Sequence, residues 1–288
     1  IDGSDDAGLR AGALVLVGTP IGNLGDLAPR AVAALRDADV IAAEDTRRTR
    51  ALLTHAGISG AGRVRAVHAH NEQESSEQVV REVKAGKRVA YVTDAGMPGI
   101  SDPGSRLVRA CIDAELPVEV VPGPSAALSA LVVSGFPTER FVFEGFLPRR
   151  GRERKERLAS VVSDARTTIL FESPRRVVAT LAELRARCGP TREIAIAREL
   201  TKMFEDVWRG TLGEAEELVT TGVPRGEHVI VLSPVPDAPE ASDDEIEAHV
   251  RAALGEGLRA RDAAARVATD LKVPRRRAYD VAVRLRSR

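Results

Sequence analysis

Thr93–Gly104, with the sequence TDAGMPGISDPG, is a long loop-forming segment between an apolar run and a stretch of helical periodicity. An ordinary connection from a strand to a helix needs only about two to six residues. Glycine lets a backbone pass close to a ligand, and proline stiffens the loop around it. A rigid loop of this length after a buried strand therefore indicates a ligand-binding segment in an α/β protein.

Two further segments have the same character, and each also follows an apolar run and precedes a helix-like pattern. They are Val17–Asp26 (VGTPIGNLGD) and Val121–Ala126 (VPGPSA). Because open α/β sheets bind ligands at the carboxyl ends of their strands, three such loops from one sheet are expected to line a single crevice. Val17–Asp26 is neither a Walker loop nor the glycine fingerprint of dinucleotide-binding proteins. The loops therefore predict a small polar ligand without naming a reaction.

Strands alternate with helices along the first half of the chain, which predicts βαβ units and a mostly parallel sheet. Beyond Phe136–Thr138 the order changes and predicts a second α/β domain with a mixed sheet. There, Val207–Gly210 and His228–Leu232 are expected to pair as antiparallel neighbours across a short helix. The predicted fold class is α/β, with two α/β domains and a small C-terminal helical segment. The predicted divisions are a flexible leader at 1–10, an N-terminal α/β domain at 11–136, a C-terminal α/β domain at 137–234, a linker and acidic helix at 235–256, and a basic helical tail at 257–288.

Charge is balanced over the whole chain but not along it. Lys plus Arg and Asp plus Glu each number 42, so the formal net charge is zero. Asp237–Glu256 holds seven acidic residues and one Arg, whereas Gly257–Arg288 holds ten basic and three acidic residues. A basic segment of this size indicates a polyanionic partner, and a solvated helix face is the alternative.

The two cysteines, Cys111 and Cys188, lie far apart and without metal-type spacing. This usage favours a reducing, cytoplasmic location and predicts no metal site. No apolar run approaches the ~20 residues that a membrane-spanning helix needs, so no membrane partner is expected. Ile1–Arg10 lacks the pattern of a targeting peptide and is interpreted as the flexible leader.

Six short motifs in a fixed order give the chain a family resemblance from about Leu14 to Leu232. They are VGTPIGNLGDL, EDTRRT (Glu44–Thr49), HNEQ (His70–Gln73), TDAGMPGISDPG, VPGPSA and ARELTK (Ala197–Lys202). Together they resemble the tetrapyrrole-methylase superfamily, and within it the branch that methylates a ribose 2′-hydroxyl of small-subunit (16S) ribosomal RNA. Relatives outside this branch usually have Gly-Asp-Pro in the central loop, whereas this chain has Gly96-Met97-Pro98. An aspartate that those relatives use near the cofactor is therefore absent.

The resemblance implies an activity and a cofactor. The activity is S-adenosylmethionine-dependent 2′-O-methylation of a cytidine in small-subunit ribosomal RNA, by a protein that is usually a homodimer. The cofactor would lie in the cleft between the two α/β domains. Carried over by motif, the cofactor-binding residues are Pro20, Asp94, Met97, Ile100, Ser101, Ser125 and Ala126 from the first domain and Phe171, Leu200 and His228 from the second. The alternative for the apolar members is that they are ordinary core residues.

A ribose hydroxyl is a weak nucleophile, so a general base is expected in such a reaction. The candidates are Glu44, Asp45, His70, Asp94 and Lys202. Glu44 and Asp45 follow a strand end and are preferred, although an acid pair at a helix N-terminus is also a common structural feature. Lys202 would need a lowered pKa to act as a base.

Two groups of basic residues are predicted to contact RNA phosphates. They are Arg47 and Arg50 in the first group, and Arg149, Arg150, Arg152, Arg154 and Lys155 in the second. A solvated helix is the alternative for the second group, since Glu153 and Glu156 are interleaved with it. The helices of the basic tail are expected to add to RNA binding.

Two other functions remain open at the level of the sequence. A methylase of a tetrapyrrole or another small molecule would have no need of the basic segments. A non-catalytic RNA-binding or ribosome-assembly protein would bind no cofactor.

Overall fold

A computed structural model of the chain describes residues 12–67, 72–221, 226–235 and 241–286. The chain divides into two compact units, one ending at Val235 and the other beginning at Pro236. The leader predicted at 1–10, His70 and the linker positions 236–240 lie outside the described residues. Within those residues, none of the helices combines the length and the apolarity needed to span a bilayer.

The first sheet of the larger unit is parallel throughout. Its strands are β1 (Leu14–Val17), β2 (Val40–Ala43), β3 (Val64–Ala66), β4 (Val89–Val92) and β5 (Val118–Val121), and the helices that follow them are α1 (Pro29–Asp37), α2 (Thr46–His55), α3 (Glu72–Lys84), α4 (Ser105–Asp113) and α5 (Ala126–Ser134). The order across the sheet is β3–β2–β4–β1–β5. Strands β2 and β4 are buried along their whole length, because helices cover both faces of a parallel sheet. Ala31 and Leu35 of α1 pack on one face, and Val83 and Leu107 on the other.

The second sheet of the larger unit is mixed. Its strands are β6 (Phe141–Phe146), β7 (Thr167–Glu172), β8 (Glu193–Arg198), β9 (Asp206–Thr211) and β10 (His228–Leu232), accompanied by helices α6 (Gly151–Ser163), α7 (Val177–Cys188) and α8 (Leu212–Thr221). Strands β6 and β7 are parallel, and the remaining pairs in the order β6–β7–β10–β8–β9 are antiparallel. The predicted α/β fold with one parallel and one mixed sheet is confirmed.

One predicted strand pairing is wrong. Strands β9 and β10 are not neighbours, because β8 lies between them and pairs with both. The short loop after β8 turns the chain directly back into β9, which therefore takes the edge of the sheet. Helix α8 then returns the chain across β8, so that β10 takes the inner position between β7 and β8.

Helix α5 precedes the domain boundary predicted between 136 and 137, yet its buried face packs on the second sheet. Ala127, Ala130 and Leu131 share a core with Ile169 of β7 and Val231 of β10. The predicted boundary therefore separates a helix from its own core. This packing agrees with the single compact unit that the chain forms up to residue 235.

The smaller unit consists of α9 (Asp243–Gly255), α10 (Ala260–Asp270) and α11 (Arg275–Arg286) around one core. Ile246 and Val250 of α9 are buried with Val267 of α10 and Val281 of α11. The predicted division between an acidic helix ending at 256 and a basic tail beginning at 257 therefore separates helices that fold together.

Acidic side chains of α9 and of the turn after it neutralise part of the basic charge in this unit. Arg277 pairs with Asp243 at 2.8 Å and Arg284 pairs with Glu247 at 3.0 Å. Arg266 pairs with Glu256 at 2.5 Å. The exposed basic residues outside these pairs include Arg259, Arg261, Lys272, Arg275 and Arg276.

Candidate active site

Three loops meet at the carboxyl edge of the first sheet and are joined by short contacts. The backbones of Thr19 and Gly96 exchange two hydrogen bonds, at 2.9 and 3.1 Å. The Gly123 amide donates to Sδ of Met97 at 3.3 Å. A Cβ atom on Gly18 would lie 2.6 Å from Cα of Gly123, so the two backbones require glycine to approach this closely. The loops after β1, β4 and β5 therefore form one wall.

This wall borders a cavity of about 360 Å³, whose other side is the second sheet. The volume lies within the roughly 300–1,000 Å³ that is typical of small-molecule sites. Eight of the ten predicted cofactor residues line the cavity. These are Met97, Ile100, Ser101, Ser125, Ala126, Phe171, Leu200 and His228.

The other two predicted cofactor residues, Pro20 and Asp94, are not part of the cavity lining. Pro20 is buried within its loop, and the next residue, Ile21, is the one that reaches the cavity. The Asp94 carboxylate pairs with Arg48 at 3.4 Å. Only the residue after it, Ala95, lines the cavity.

Backbone strain accompanies two of the segments around the cavity. Ser101 has a φ angle of 62°, and the residues on either side of Leu200, which are Glu199 and Thr201, have φ angles of 51° and 66°. Such left-handed conformations cost roughly 1–3 kcal/mol each in non-glycine residues and cluster at functional sites. Contacts with the surrounding structure therefore hold the backbone of these segments in a conformation that their own residues disfavour.

The structure defines the hydrogen bonding of two polar side chains of the cavity, and the protonation state of one of them. Ser125 is the N-cap of α5, and its Oγ accepts a hydrogen bond from the Leu128 amide at 3.4 Å. Burial lowers the pKa of His228, so its imidazole is neutral at physiological pH. Nδ1 of His228 lies 3.1 Å from the Gly226 carbonyl. Because a carbonyl can only accept, Nδ1 carries the proton and Nε2 is left as an acceptor.

Three carboxylates, those of Glu44, Asp94 and Asp102, form an acidic cluster beside the cavity. Glu44 Oε2 accepts a hydrogen bond from the Asp94 amide at 3.3 Å. Burial raises the pKa of Asp102 to about 7, and repulsion from Glu44 and Asp94 adds to this effect. Burial also raises the pKa of Glu44. Of the three, Asp102 lines the cavity.

Asp45, one of the predicted catalytic residues, has a structural role. It is the N-cap of α2, and its Oδ1 accepts hydrogen bonds from the amides of Arg47 and Arg48 at 2.7 and 3.4 Å. The hydrogen bond from Arg47 is the main cause of a lowered pKa at Asp45. A carboxylate that is held in this way is a weak base, which argues against the predicted catalytic role.

Lys202, a second predicted catalytic residue, is held by two carboxylates. Its Nζ lies 2.9 Å from Glu199 Oε1 and 2.9 Å from Glu227 Oε2. Burial acts to lower the pKa of Lys202, but the hydrogen bonds and charges of these carboxylates outweigh it and the pKa is raised. A general base would need the opposite shift, so the geometry opposes that role for Lys202.

Several residues of the cavity were not among the predicted ones. The sequence marks Asp102 only as a flank of the central Gly-Met-Pro tripeptide. Phe146 and Glu172 end strands β6 and β7, so their signal is the same strand-end position that identified the first three loops. The residues missed by the sequence prediction include Ile21, Asp102, Phe146, Glu172, Pro174 and Glu227.

No group of three or more His, Cys, Asp or Glu within the described ranges is arranged to hold a metal ion.

The basic residues predicted to contact RNA are exposed, with one exception. Arg47 and Arg50 lie on α2, and Arg149, Arg150, Arg152 and Lys155 lie at the start of α6. Arg154 is instead buried. Its guanidinium donates to the Pro148 carbonyl and to Thr180 Oγ1, both at 3.0 Å, and pairs with Glu183 at 3.2 Å. These contacts argue against the predicted RNA contact at Arg154, because its donors already hold α6 against α7.

Replacing Arg154 by alanine is expected to lower the free energy of unfolding by roughly 2 kcal/mol, because buried acceptors lose their donors. Lys155→Ala, the neighbouring exposed position, is the matched control and should leave stability unchanged. Urea denaturation followed by circular dichroism measures both variants. Equal stability of the two would show that the Arg154 contacts contribute nothing.

The chain is similar to known proteins in sequence and in fold. The family model of the Tetrapyrrole (Corrin/Porphyrin) Methylases matches residues 13–216. A Synechocystis protein named Ribosomal RNA small subunit methyltransferase I is 43% identical over 276 residues, which are 95% of this chain and 98% of that protein. A Mycobacterium tuberculosis protein of the same name is 44% identical over 260 residues, or 90% of each chain. Among solved structures, uroporphyrin-III C-methyl transferase from Thermus thermophilus, complexed with S-adenyl homocysteine, has a TM-score of 0.55 at 22% identity, covering 77% of this chain and 97% of that one.

Proposed function

Because this chain belongs to the tetrapyrrole methylase family and is an S-adenosylmethionine-dependent methyltransferase, we propose that it methylates the ribose 2′-hydroxyl of a cytidine in small-subunit ribosomal RNA. The observation that carries the proposal is the cavity, whose lining includes eight of the ten residues that the motifs predict as cofactor contacts. Relatives that match at least 90% of this chain and are named for the small ribosomal subunit, such as the two described above, support the RNA substrate.

The cavity fits S-adenosylmethionine, a ligand that combines a flat adenine ring with positively charged groups. Ile100, Phe171 and Leu200 offer apolar surface for the ring. His228 offers Nε2 as an acceptor for the adenine amino group. Asp102 and Glu227, which also line the cavity, supply negative charge for the positive groups.

The chain itself contributes binding and orientation to the proposed reaction. When bound, S-adenosylmethionine supplies a methyl group that its sulfonium sulfur makes electrophilic. The wall of three joined loops would hold the cofactor in place, so that a ribose oxygen can approach the methyl carbon in line. Positioning of this kind can account for a large part of a rate enhancement.

Exposed basic residues support an RNA substrate. Arg149, Arg150 and Lys155 cluster at the start of α6, where they can contact phosphates without breaking internal contacts. In the smaller unit, Arg275 and Arg276 begin α11 and are also exposed. Because α9 neutralises Arg277 and Arg284, we assign the RNA contacts of this unit to the exposed arginines outside the ion pairs.

We also propose that the chain acts as a homodimer. Helix α5 is apolar on all sides, which is typical of helices that are buried all round. One face packs on the second sheet, while Leu128 and Val132 on the other face are 51% and 71% exposed. A second copy of the chain would cover this face, and sedimentation velocity measures whether it does.

A cytoplasmic location is part of the same proposal. Cys111 and Cys188 are both free thiols, and Cys111 is buried. Unpaired cysteines are typical of proteins in a reducing compartment.

The function is tested by methyl transfer from labelled S-adenosylmethionine to isolated small ribosomal subunits and, in parallel, to a porphyrinoid. We expect incorporation into the 2′-oxygen of a cytidine, detected by nuclease digestion and mass spectrometry. Methylation of the porphyrinoid alone would instead indicate a small-molecule methylase. Subunit binding without cofactor binding would indicate a non-catalytic RNA-binding protein.

Replacing both Arg275 and Arg276 by alanine is expected to raise the KM for subunits roughly tenfold at ~0.15 M salt, because two phosphate contacts are lost. The salt dependence of binding should become shallower, and the affinity for S-adenosylmethionine should not change. A double variant of Arg36→Ala and Lys84→Ala removes the same charge from exposed positions outside the proposed RNA contacts and serves as the control. Equal KM values for the two double variants would exclude the smaller unit from RNA binding.

A further inference from the structure

The loop between β6 and α6, residues 147–150, leads from the cavity to a basic surface. Phe146, the residue before the loop, lines the cavity, and Arg149 and Arg150 at the end of the loop are exposed. Because three residues of extended chain span at most about 11 Å, the backbone of Arg149 lies close to the cavity wall. The conformation of this short loop therefore determines where the two exposed arginines meet a ligand.

Two other arginines hold the backbone of the loop from inside. Arg176, the residue before α7, donates a hydrogen bond from Nη2 to the Leu147 carbonyl at 2.7 Å. Arg154 of α6 is buried and donates from Nη1 to the Pro148 carbonyl at 3.0 Å. These anchoring arginines, Arg154 and Arg176, therefore hold two consecutive carbonyl groups directly before the exposed pair.

Glu172 at the end of β7 connects the two anchoring arginines. Its Oε1 lies 3.3 Å from Nε of Arg176. Its Oε2 accepts a hydrogen bond from Oγ1 of Thr180 at 2.7 Å, and the same hydroxyl oxygen accepts one from Nη2 of Arg154 at 3.0 Å. Glu172 and Thr180 are buried, and Glu172 lines the cavity. A continuous network therefore joins the cavity wall to both carbonyl contacts of the loop.

The composition of this network favours a role in positioning. Removing guanidinium and carboxylate groups from water costs free energy, and apolar side chains of similar volume often stabilise a core equally well. The donors of a guanidinium group form a rigid planar fork, so its hydrogen bonds are strongly directional. The bonds of Arg154 and Arg176 therefore specify one conformation of the loop in a way that apolar packing does not.

We propose that Arg154, Arg176 and Thr180 are positioning residues for RNA binding, an inference that rests on the function proposed above. They hold residues 147–150 in one conformation at the edge of the cavity, so that Arg149 and Arg150 meet RNA phosphates in a preformed arrangement. A loop that is ordered only on binding lowers affinity, and a preformed loop avoids that loss. The short chain distance to the cavity places these phosphate contacts close to the ribose that is methylated.

Arg176→Lys is the decisive variant, because it keeps the positive charge and removes the fork that reaches Glu172 and Leu147 together. We expect the KM for small subunits to rise roughly tenfold, since RNA must then order the loop. Affinity for S-adenosylmethionine, measured by calorimetry, should change far less. Arg185→Lys makes the same change in an exposed ion pair with Glu216, further along α7, and should leave both quantities unchanged.

A combined variant separates positioning from a general loss of stability. Arg149→Ala together with Arg150→Ala removes the contacts that Arg176 is proposed to position. In that background Arg176→Lys should raise the KM only slightly further, because its effect acts through the two exposed arginines. If Arg176→Lys raises the KM by the same factor in both backgrounds, it does not act through them and the inference is overturned.

Limited digestion with trypsin tests the loop without cofactor or RNA. Trypsin cleaves after Arg149 and Arg150 when the loop leaves its ordered conformation. Arg176→Lys should raise the rate of cleavage at these two sites roughly tenfold, as expected for the loss of one hydrogen bond from a charged group. Arg185→Lys should not change that rate, and mass spectrometry identifies the products. Equal rates in both variants and the unaltered chain would show that Arg176 does not hold the loop.

Thr180 gives a second test through an uncharged group. Thr180→Val keeps the shape of the side chain and removes the hydroxyl that joins Glu172 to Arg154. It should raise both the KM for small subunits and the cleavage rate, and Thr180→Ser should restore both. If the unaltered chain methylates subunits while Arg176→Lys and Thr180→Val leave the KM unchanged, the inference fails and the proposed function stands. If the unaltered chain does not methylate subunits, the proposed function is wrong and the inference fails with it.

Discussion

Ala126→Trp is expected to abolish binding of S-adenosylmethionine and leave the protein folded. Ala126 is the first residue of α5 and lines the cavity. An indole in this position would occupy space in a cavity of only about 360 Å³. Because the cofactor cannot bind where the ring lies, affinity should fall by roughly 100-fold or more. Isothermal titration calorimetry measures the affinity directly.

The control is the same substitution at an exposed position. Ala85 follows α3 and lies outside both the cavity and the proposed RNA contacts. Ala85→Trp should bind S-adenosylmethionine like the unaltered chain. Folding of both variants is checked by circular dichroism. Undiminished affinity in a folded Ala126→Trp variant would mean that the cofactor binds elsewhere.

Gly18→Ala is expected to lower the free energy of unfolding by about 3 kcal/mol and to weaken cofactor binding. The new Cβ would lie 2.6 Å from the Gly123 backbone and 2.8 Å from Sδ of Met97. Two of the three loops would have to move apart, because the obstructing atoms of Gly123 belong to the backbone and cannot turn away. Met97 and Ser125 would be displaced with them, and both line the cavity.

Gly255→Ala supplies a contrast at a glycine with open space around it. No heavy atom lies within 4 Å of the Cβ position there, and the residue ends helix α9. Alanine favours helix over glycine by up to ~1 kcal/mol, so this variant should be neutral or slightly stabilised. Chemical denaturation measures the free energy of unfolding of both the Gly18→Ala and the Gly255→Ala variants. A neutral Gly18→Ala would show that the contact between the loops is not tight in solution.

Local patterns predicted the fold well because each loop and strand carries its own signal. Strand β10, for example, has the predicted bounds His228–Leu232. The sequence did not predict the order of the strands in the second sheet, where more than one strand could lie beside β10. The pattern of β9 and β10 is compatible with direct pairing, and nothing in either strand shows that β8 lies between them.

The candidate site shows the same limit. Motifs marked the strand-end loops, and with them most of the cavity lining. The roles of single residues depend on burial and on partners that are distant in sequence. Arg154 looks like its exposed neighbours in a basic run, yet its bonds to Thr180 and Glu183 make it structural. Asp102 was recognised as part of the cavity lining only from the structure.

The packing of α5 on the second sheet has a consequence for how the protein is made. Strand β10, which supplies part of that sheet, begins about 90 residues after α5 ends. At roughly 5–20 residues per second, α5 would wait on the order of 5–20 s on the translating ribosome before its partner strand is synthesised. During this interval its apolar faces are open to chaperones or to other nascent chains. The first sheet can form early, but the methyl-donor pocket is completed only when translation has passed His228.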